Sequence, residues 1–277
     1  MDTFDRKPEL NRLDGKPLPE SIRTQLQRVQ LNRVGNIFGS PFKFKRYGEC
    51  GLEVSELFPN VAKHADDLCV IRSMQGEVAN HTPGLLLTNC GHSTLPRPSI
   101  GSWLLYGLGN ESDELPGFVV LCPRGLPTAQ SRNWTSAFMP GVYQGTYIDT
   151  ESNSEPIVPN LSRKDIQTEA QRGQVDLTQF LNRRHANDRP EDQRLESRIH
   201  NMELAFRMQT AGTDVFDLSQ EPQHIIDSYG DTSQGRKLLY ARRLAERGVR
   251  YIQCYHGAGQ PWDNHGSIVK NITRLAK

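Results

Sequence analysis

Ser233-Gln234-Gly235-Arg236-Lys237-Leu238-Leu239-Tyr240-Ala241-Arg242-Arg243-Leu244-Ala245-Glu246-Arg247-Gly248-Val249-Arg250-Tyr251-Ile252-Gln253-Cys254-Tyr255 decides the fold. Leu238, Leu239, Ala241, Leu244 and Ala245 form one stripe of an amphipathic helix ending at Arg247. Gly248 stops it at the position after the C-cap, where a left-handed backbone is wanted. Residues 249–255 then read as a strand. Upstream, Pro116-Gly117-Phe118-Val119-Val120-Leu121-Cys122 is a second short apolar strand, preceded by a helix over Pro98 to Tyr106 with Ser99 or Pro98 at its start. Leu68-Cys69-Val70-Ile71-Arg72-Ser73-Met74 is a third apolar run, of the unalternated kind that suits a strand buried on both faces. Before it, Val54-Ser55-Glu56-Leu57-Phe58 leads into a helix through about His64, with Ser55 as N-cap, which Asp66-Asp67 breaks. Helix alternating with strand predicts an α/β fold with a mainly parallel sheet.

The remaining stretches are polar. Residues 1–50 are turn-rich, with a short helix near Ser21 to Val29. Residues 123–190 read as a loop-rich insertion within one domain spanning 1–277, and a helix from about Pro190 to Thr210 closes it. A last helix covers Ser267 to Ala276. The 277 residues are 36% hydrophobic with formal net charge +1, so no electrostatic case exists for nucleic acid or an anionic membrane. No run of about 18 apolar residues exists to span a membrane. Met1-Asp2-Thr3-Phe4-Asp5 is acidic where an export signal needs basic residues. The cysteines at 50, 69, 90, 122 and 254 form no CxxC pair, and Cys69 and Cys254 read as small buried hydrophobes. Arg242-Arg243 reads as a solvated helix face, and Trp103, Trp134 and Trp262 as packing residues, with Trp262 also placed to wall a site.

Ligands of open α/β sheets sit at the carboxyl ends of the strands. His256-Gly257-Ala258-Gly259-Gln260-Pro261-Trp262-Asp263-Asn264-His265-Gly266 follows the strand ending at Tyr255. Its glycines let imidazole and carboxylate converge, a donor set suited to zinc, manganese or similar ions. A polar loop leading into the last helix accounts for it equally well. Asn80-His81-Thr82-Pro83 opens a helix whose N-terminus is suited to a tetrahedral oxyanion, and a plain capped helix with Thr82 as N-cap fits as well. Asp2 and Asp5, by spacing alone, are solvated carboxylates.

Together these stretches resemble a known family. Asp2-Thr3-Phe4-Asp5-Arg6-Lys7-Pro8, Asp14-Gly15-Lys16-Pro17-Leu18-Pro19, Gly39-Ser40-Pro41-Phe42, Val70-Ile71-Arg72-Ser73-Met74, Pro98-Ser99-Ile100-Gly101-Ser102-Trp103 and Trp262-Asp263-Asn264-His265-Gly266 are similar to the domain-of-unknown-function family numbered 1501. That bacterial group is labelled sulfatase-like and placed in the alkaline phosphatase superfamily. The resemblance implies an α/β/α sandwich, incomplete in this chain, and a divalent-metal site for zinc, manganese or calcium. Asp2 resembles the superfamily's first metal-ligand aspartate, and Asp263 with His265 a later ligand pair. Laid beside the sulfatase nucleophile motif, His81 falls where a cysteine belongs and Leu85 where an arginine belongs. That disfavours a formylglycine sulfatase and leaves His81 or Thr82 at the reacting centre, with His256 as acid–base candidate.

The implied activity is hydrolysis of a phosphate or sulfate ester of a small molecule or polysaccharide. The alternative is an exported, non-catalytic binding or scaffold protein that keeps the fold. Family members carry an export signal, often twin-arginine, with a Gly-Gly-Pro-Ser strand end before the Asp-Thr-Phe-Asp motif, and Glu-Phe-Gly-Arg and Gly-Arg-Asp-His motifs downstream. Their lack here leads to the expectation of a chain truncated at both ends.

Overall fold

The computed structural model describes residues 3–24, 35–151, 158, 167–189 and 193–276. In chain order these residues form α1 (Pro8–Arg12), α2 (Glu20–Arg23), β1 (Phe44–Tyr47), β2 (Leu52–Ser55), a 3-10 helix (Val61–Asp67), α3 (His81–Cys90), α4 (Ile100–Leu108) and β3 (Phe118–Leu121). Then come β4 (Thr146–Ile148), α5 (Thr168–Asn187), α6 (Gln193–Phe216), α7 (Gln223–Tyr229), α8 (Ser233–Glu246), β5 (Tyr251–Cys254) and α9 (Ile268–Ala276). The chain divides into two compact units, the first made of Met1–Ala79 with Pro261–Lys277 and the second of Asn80–Gln260.

The second unit carries the parallel sheet, in the order β4-β3-β5. The centre strand β3 is buried along its whole length, as its unbroken Phe-Val-Val-Leu sequence requires. Its side chains alternate between two clusters. Val119 and Leu121 pack with Met208 and Val215 of α6 and Tyr240 and Leu244 of α8. Phe118 and Val120 pack with Leu105 of α4 and with Trp134. Helices therefore cover both faces, and the α/β expectation holds.

α8 starts where Thr232 accepts a hydrogen bond from the Gly235 amide at 3.0 Å. It ends before Gly248, whose φ is +85°. Arg243 is not on a solvated face: it is buried, donating to the carbonyls of Val215 and Asp214 and pairing with Glu221. Lys237 is fully buried, and its ammonium donates to the Tyr255 carbonyl. Burial pushes the Lys237 pKa down.

Several expectations are corrected. Residues 68–74 form no strand and lie in the first unit as exposed, irregular chain, with Ile71 63% and Met74 77% exposed. Ser55 ends strand β2 instead of capping a helix, and the turn after Pro59 is the 3-10 helix Val61–Asp67. The short helix near Ser21 is described only as Glu20–Arg23, the rest of its expected span lying outside the described residues. The stretch read as loop holds strand β4, which pairs parallel with β3, and the 20-residue helix α5. α5 leans on α6 through Gln179 Nε2 to the Ile199 carbonyl (2.8 Å) and the Arg172–Glu203 ion pair (2.8 Å). Cys69 and Cys254 are exposed, whereas Cys90 and Cys122 are buried. Trp103 is half-exposed, unlike Trp134. Among the described residues no helix is long and apolar enough to cross a membrane.

Candidate functional site

The first unit is built around the antiparallel hairpin β1–β2, in which Phe44 lies opposite Ser55 and Tyr47 opposite Leu52. The connecting turn is held by one carboxylate. Asp66 accepts hydrogen bonds from the amides of Glu49 (3.0 Å) and Cys50 (2.8 Å), and those bonds lower its pKa. Gly48 is required there: φ is +66°, and a Cβ would stand 2.4 Å from the Asp66 carboxylate. A second pairing lies between two loops, where Gly15 and Ile37, and Ile37 and Lys16, exchange backbone bonds at 2.9 and 2.8 Å. Asp14 and Asn11 side chains receive the amides of Gly39 and Ser40. This scaffold explains the Asp-Gly-Lys-Pro and Phe-Gly-Ser-Pro turns: they brace each other.

Onto this scaffold the two ends of the chain's sequence are fastened. The Thr3 carbonyl accepts the amide of buried Ser55 at 3.0 Å. Phe4 stacks on Phe58 with ring centroids 5.5 Å apart, and Phe58 stacks on Trp262 at 6.5 Å. Asp5 pairs with Lys7, and Arg72 stands 4.0 Å from its carboxylate. At the other end, the Asn264 amide turns back to the Trp262 carbonyl (3.1 Å), and Asn271 of α9 donates to the Gly266 carbonyl (3.0 Å). The result is a cavity of about 440 Å³. Asp5, Lys7 and Ser40 line it together with Trp262, Asp263 and Asn264, and Ile268 and Ile272 of α9 form its apolar wall.

Asp263, on the wall of this cavity, pairs with His265, its Oδ1 3.0 Å from His265 Nε2. The Asp263 side chain is partly covered and that of His265 exposed. Two ligands about 2.1 Å from a shared ion lie about 3.0–3.4 Å apart at octahedral to tetrahedral angles. The pair thus fits a divalent cation in donor type and in spacing, and it is equally a plain ion pair. Among the described residues no group of three His, Cys, Asp or Glu side chains is gathered. Asp2, the third expected ligand, lies outside the described residues.

The other expected site residues belong to the second unit. His81 and Thr82 are the first two residues of α3, so Asn80, not Thr82, occupies the cap position. The physical reason is the extended backbone of Asn80, whose carbonyl already accepts the Gly84 amide at 2.9 Å. His256 is half-buried, two residues beyond β5 at the carboxyl end of the sheet. A polar lattice ties α3 to β5: Gln253 Nε2 donates to Asn89 Oδ1 (3.0 Å) and to the Tyr255 hydroxyl (2.9 Å), and Asn89 Nδ2 donates to buried Asn133 (3.1 Å). The anchor is at the far end of α3, about 12 Å along the axis from His81 at a rise of about 1.5 Å per residue.

Sequence reading missed Lys7, Ser40 and Asn264 as cavity residues. The paired turns carried the signal for Ser40, and the Asp-Asn-His run carried it for Asn264.

The second unit, a parallel sheet sheathed by helices, makes this an α/β protein, and the first holds a carboxylate–imidazole pair whose carboxylate lines a polar cavity. The chain belongs to the family described as "Protein of unknown function (DUF1501)", which it matches over residues 1–277. No curated protein matches the chain, and no solved structure matches it.

Proposed function

We propose that this protein is a divalent-metal-dependent hydrolase of phosphate or sulfate esters, akin to the alkaline phosphatase superfamily. The supporting observation is the Phe4–Phe58–Trp262 stack, beside which Asp5 and Lys7 from one end of the sequence and Trp262, Asp263 and Asn264 from the other line one cavity. Asp263 and His265, with Asp2, are the proposed metal ligands. Zinc, manganese or calcium held there would polarise ester oxygens and stabilise developing negative charge. Lys7, on the wall of the same cavity, adds a positive charge that suits an anionic ester.

Metal analysis and calorimetric titration with zinc, manganese and calcium test the reading. The protein is expected to bind about one ion or more, and Asp263→Ala with His265→Ala to abolish uptake while the circular dichroism spectrum is kept, since both residues are exposed. Failure to bind any of the three ions, together with no turnover of nitrophenyl phosphate or sulfate, overturns it. A second reading, a non-catalytic exported binding or scaffold protein, is favoured by one observation: Asp263 and His265 already satisfy each other as an ion pair. Under it the double substitution changes nothing but local stability.

A further inference from the structure

The second unit carries a row of aromatic rings on its surface. Phe138 meets Trp103 at 6.2 Å between ring centroids, Trp103 meets Tyr106 at 6.2 Å, and Tyr106 meets Tyr143 at 5.7 Å. Phe138 is 69%, Tyr106 60% and Trp103 49% exposed, so three large rings stand in water side by side. Single exposed apolar side chains are ordinary, but a contiguous patch marks a binding surface. Two cavities are joined by the row. Phe138 and Trp103 line one of about 600 Å³, and Tyr106 and Tyr143 line another of about 330 Å³.

The polar groups beside the rings indicate what the row accepts. Arg97 is the one charged residue lining the first cavity, and it has no ion-pair partner among the described residues. Gln144 and Asn201 line the second cavity, and among the described residues neither side chain is engaged in a hydrogen bond. Asp113 and Arg207 line that cavity too, and their opposite charges leave it without a preferred sign. A lipid or a protein's apolar anchor would leave the cation and both amides unmatched, which costs affinity. A chain of hydroxylated rings matches all of them: ring C–H faces lie on the aromatics, hydroxyls reach the amides, and a negative substituent reaches the guanidinium.

We propose that this row is a binding track for a linear, anionic oligosaccharide, with its acidic group beside Arg97. Sulfate, phosphate and carboxylate substituents share that chemistry. The track is independent of the metal site, since binding here needs neither an ion nor turnover.

The test is calorimetric titration, in chelator, of the full chain with a chondroitin sulfate hexasaccharide, its desulfated counterpart, and a phosphorylated neutral-backbone hexasaccharide. Tryptophan fluorescence is followed in parallel. The sulfated sugar is expected to bind, and its affinity to fall at least tenfold in Trp103→Ala and in Tyr106→Ala. Arg97→Gln is expected to bring its affinity down to that of the desulfated sugar. Comparison of the sulfated, phosphorylated and uronate-only sugars separates the sources of the anion. Because the substituted side chains are exposed, unfolding midpoints serve as the control, and Trp103→Phe is expected to keep most of the affinity. Absence of binding by every sugar, or binding that is indifferent to Trp103 and Tyr106, overturns the proposal. Loss of binding only on metal removal would instead move the sugar to the metal site and refute the track.

Discussion

Gly101 and Gly107 lie in the same helix and respond oppositely to an added methyl group. On helix propensity alone, either glycine gains about 1 kcal/mol when replaced by alanine. At Gly107 a Cβ meets nothing within 4 Å, so that gain is realised and Gly107→Ala is expected to stabilise the fold by about 0.5–1 kcal/mol. At Gly101 the Cβ would stand 2.5 Å from both Phe118 Cε1 and Tyr251 Cδ1. Carbon atoms want about 3.5–4.0 Å, so α4 must retreat or both rings must move by about an ångström. The rings have little room: they are packed edge to face at 5.1 Å, and Phe118 is fully buried at the centre of the sheet. Overpacking of this kind costs about 1–3 kcal/mol, towards the upper end here, so Gly101→Ala is expected to lose about 1–2 kcal/mol net. Urea unfolding followed by far-ultraviolet circular dichroism, with buried Trp134 as a fluorescent reporter of the same cluster, measures both. A Gly101→Ala protein as stable as Gly107→Ala would refute the close approach of α4 to β3 and β5.

Gly48→Ala places a methyl group against Asp66 with φ at +66°, and is expected to lower stability by about 1–2 kcal/mol in the same unfolding assay. Lys237, whose pKa burial depresses below 10.5, binds fewer protons folded than unfolded, so its contribution makes stability rise with pH between the two values. Half-buried Tyr255, with its pKa raised, acts in the opposite sense, so the measurable quantity is the difference between wild type and Lys237→Met. That difference is expected to shift in favour of the wild type as pH rises towards 10.5, and a flat difference contradicts burial of the ammonium.

Where local chemistry and tertiary packing agree, the elements could be read directly. α8 was legible because an apolar stripe and a terminal glycine coincide, and β3 because four apolar residues in a row need cover on both faces. β4 has three residues, Thr146-Tyr147-Ile148, and becomes a strand only by pairing with β3, which no local pattern announces. α5 is largely polar, and the Arg172–Glu203 ion pair that ties it to α6 is a tertiary fact. Residues 68–74 show the converse: apolar composition marks a strand only when a neighbour supplies hydrogen bonds, and these seven have no strand partner among the described residues. In the candidate site, Asp263 and His265 were legible as neighbours two apart. The aromatic stack that gathers Phe4, Phe58 and Trp262 spans the whole sequence and was not.

The first unit is discontinuous: residues 261–277 return to a body begun by residues 1–79. During synthesis residues 1–79 are made well before residues 261–277, so the hairpin with its aromatic residues waits unfinished while the intervening unit is made. Phe58 gains its second stacking partner, and Ile272 its burial, only once that return segment has been made. The candidate site is thus assembled only after the intervening unit has been made, which leaves Phe4 and Phe58 without Trp262 until then.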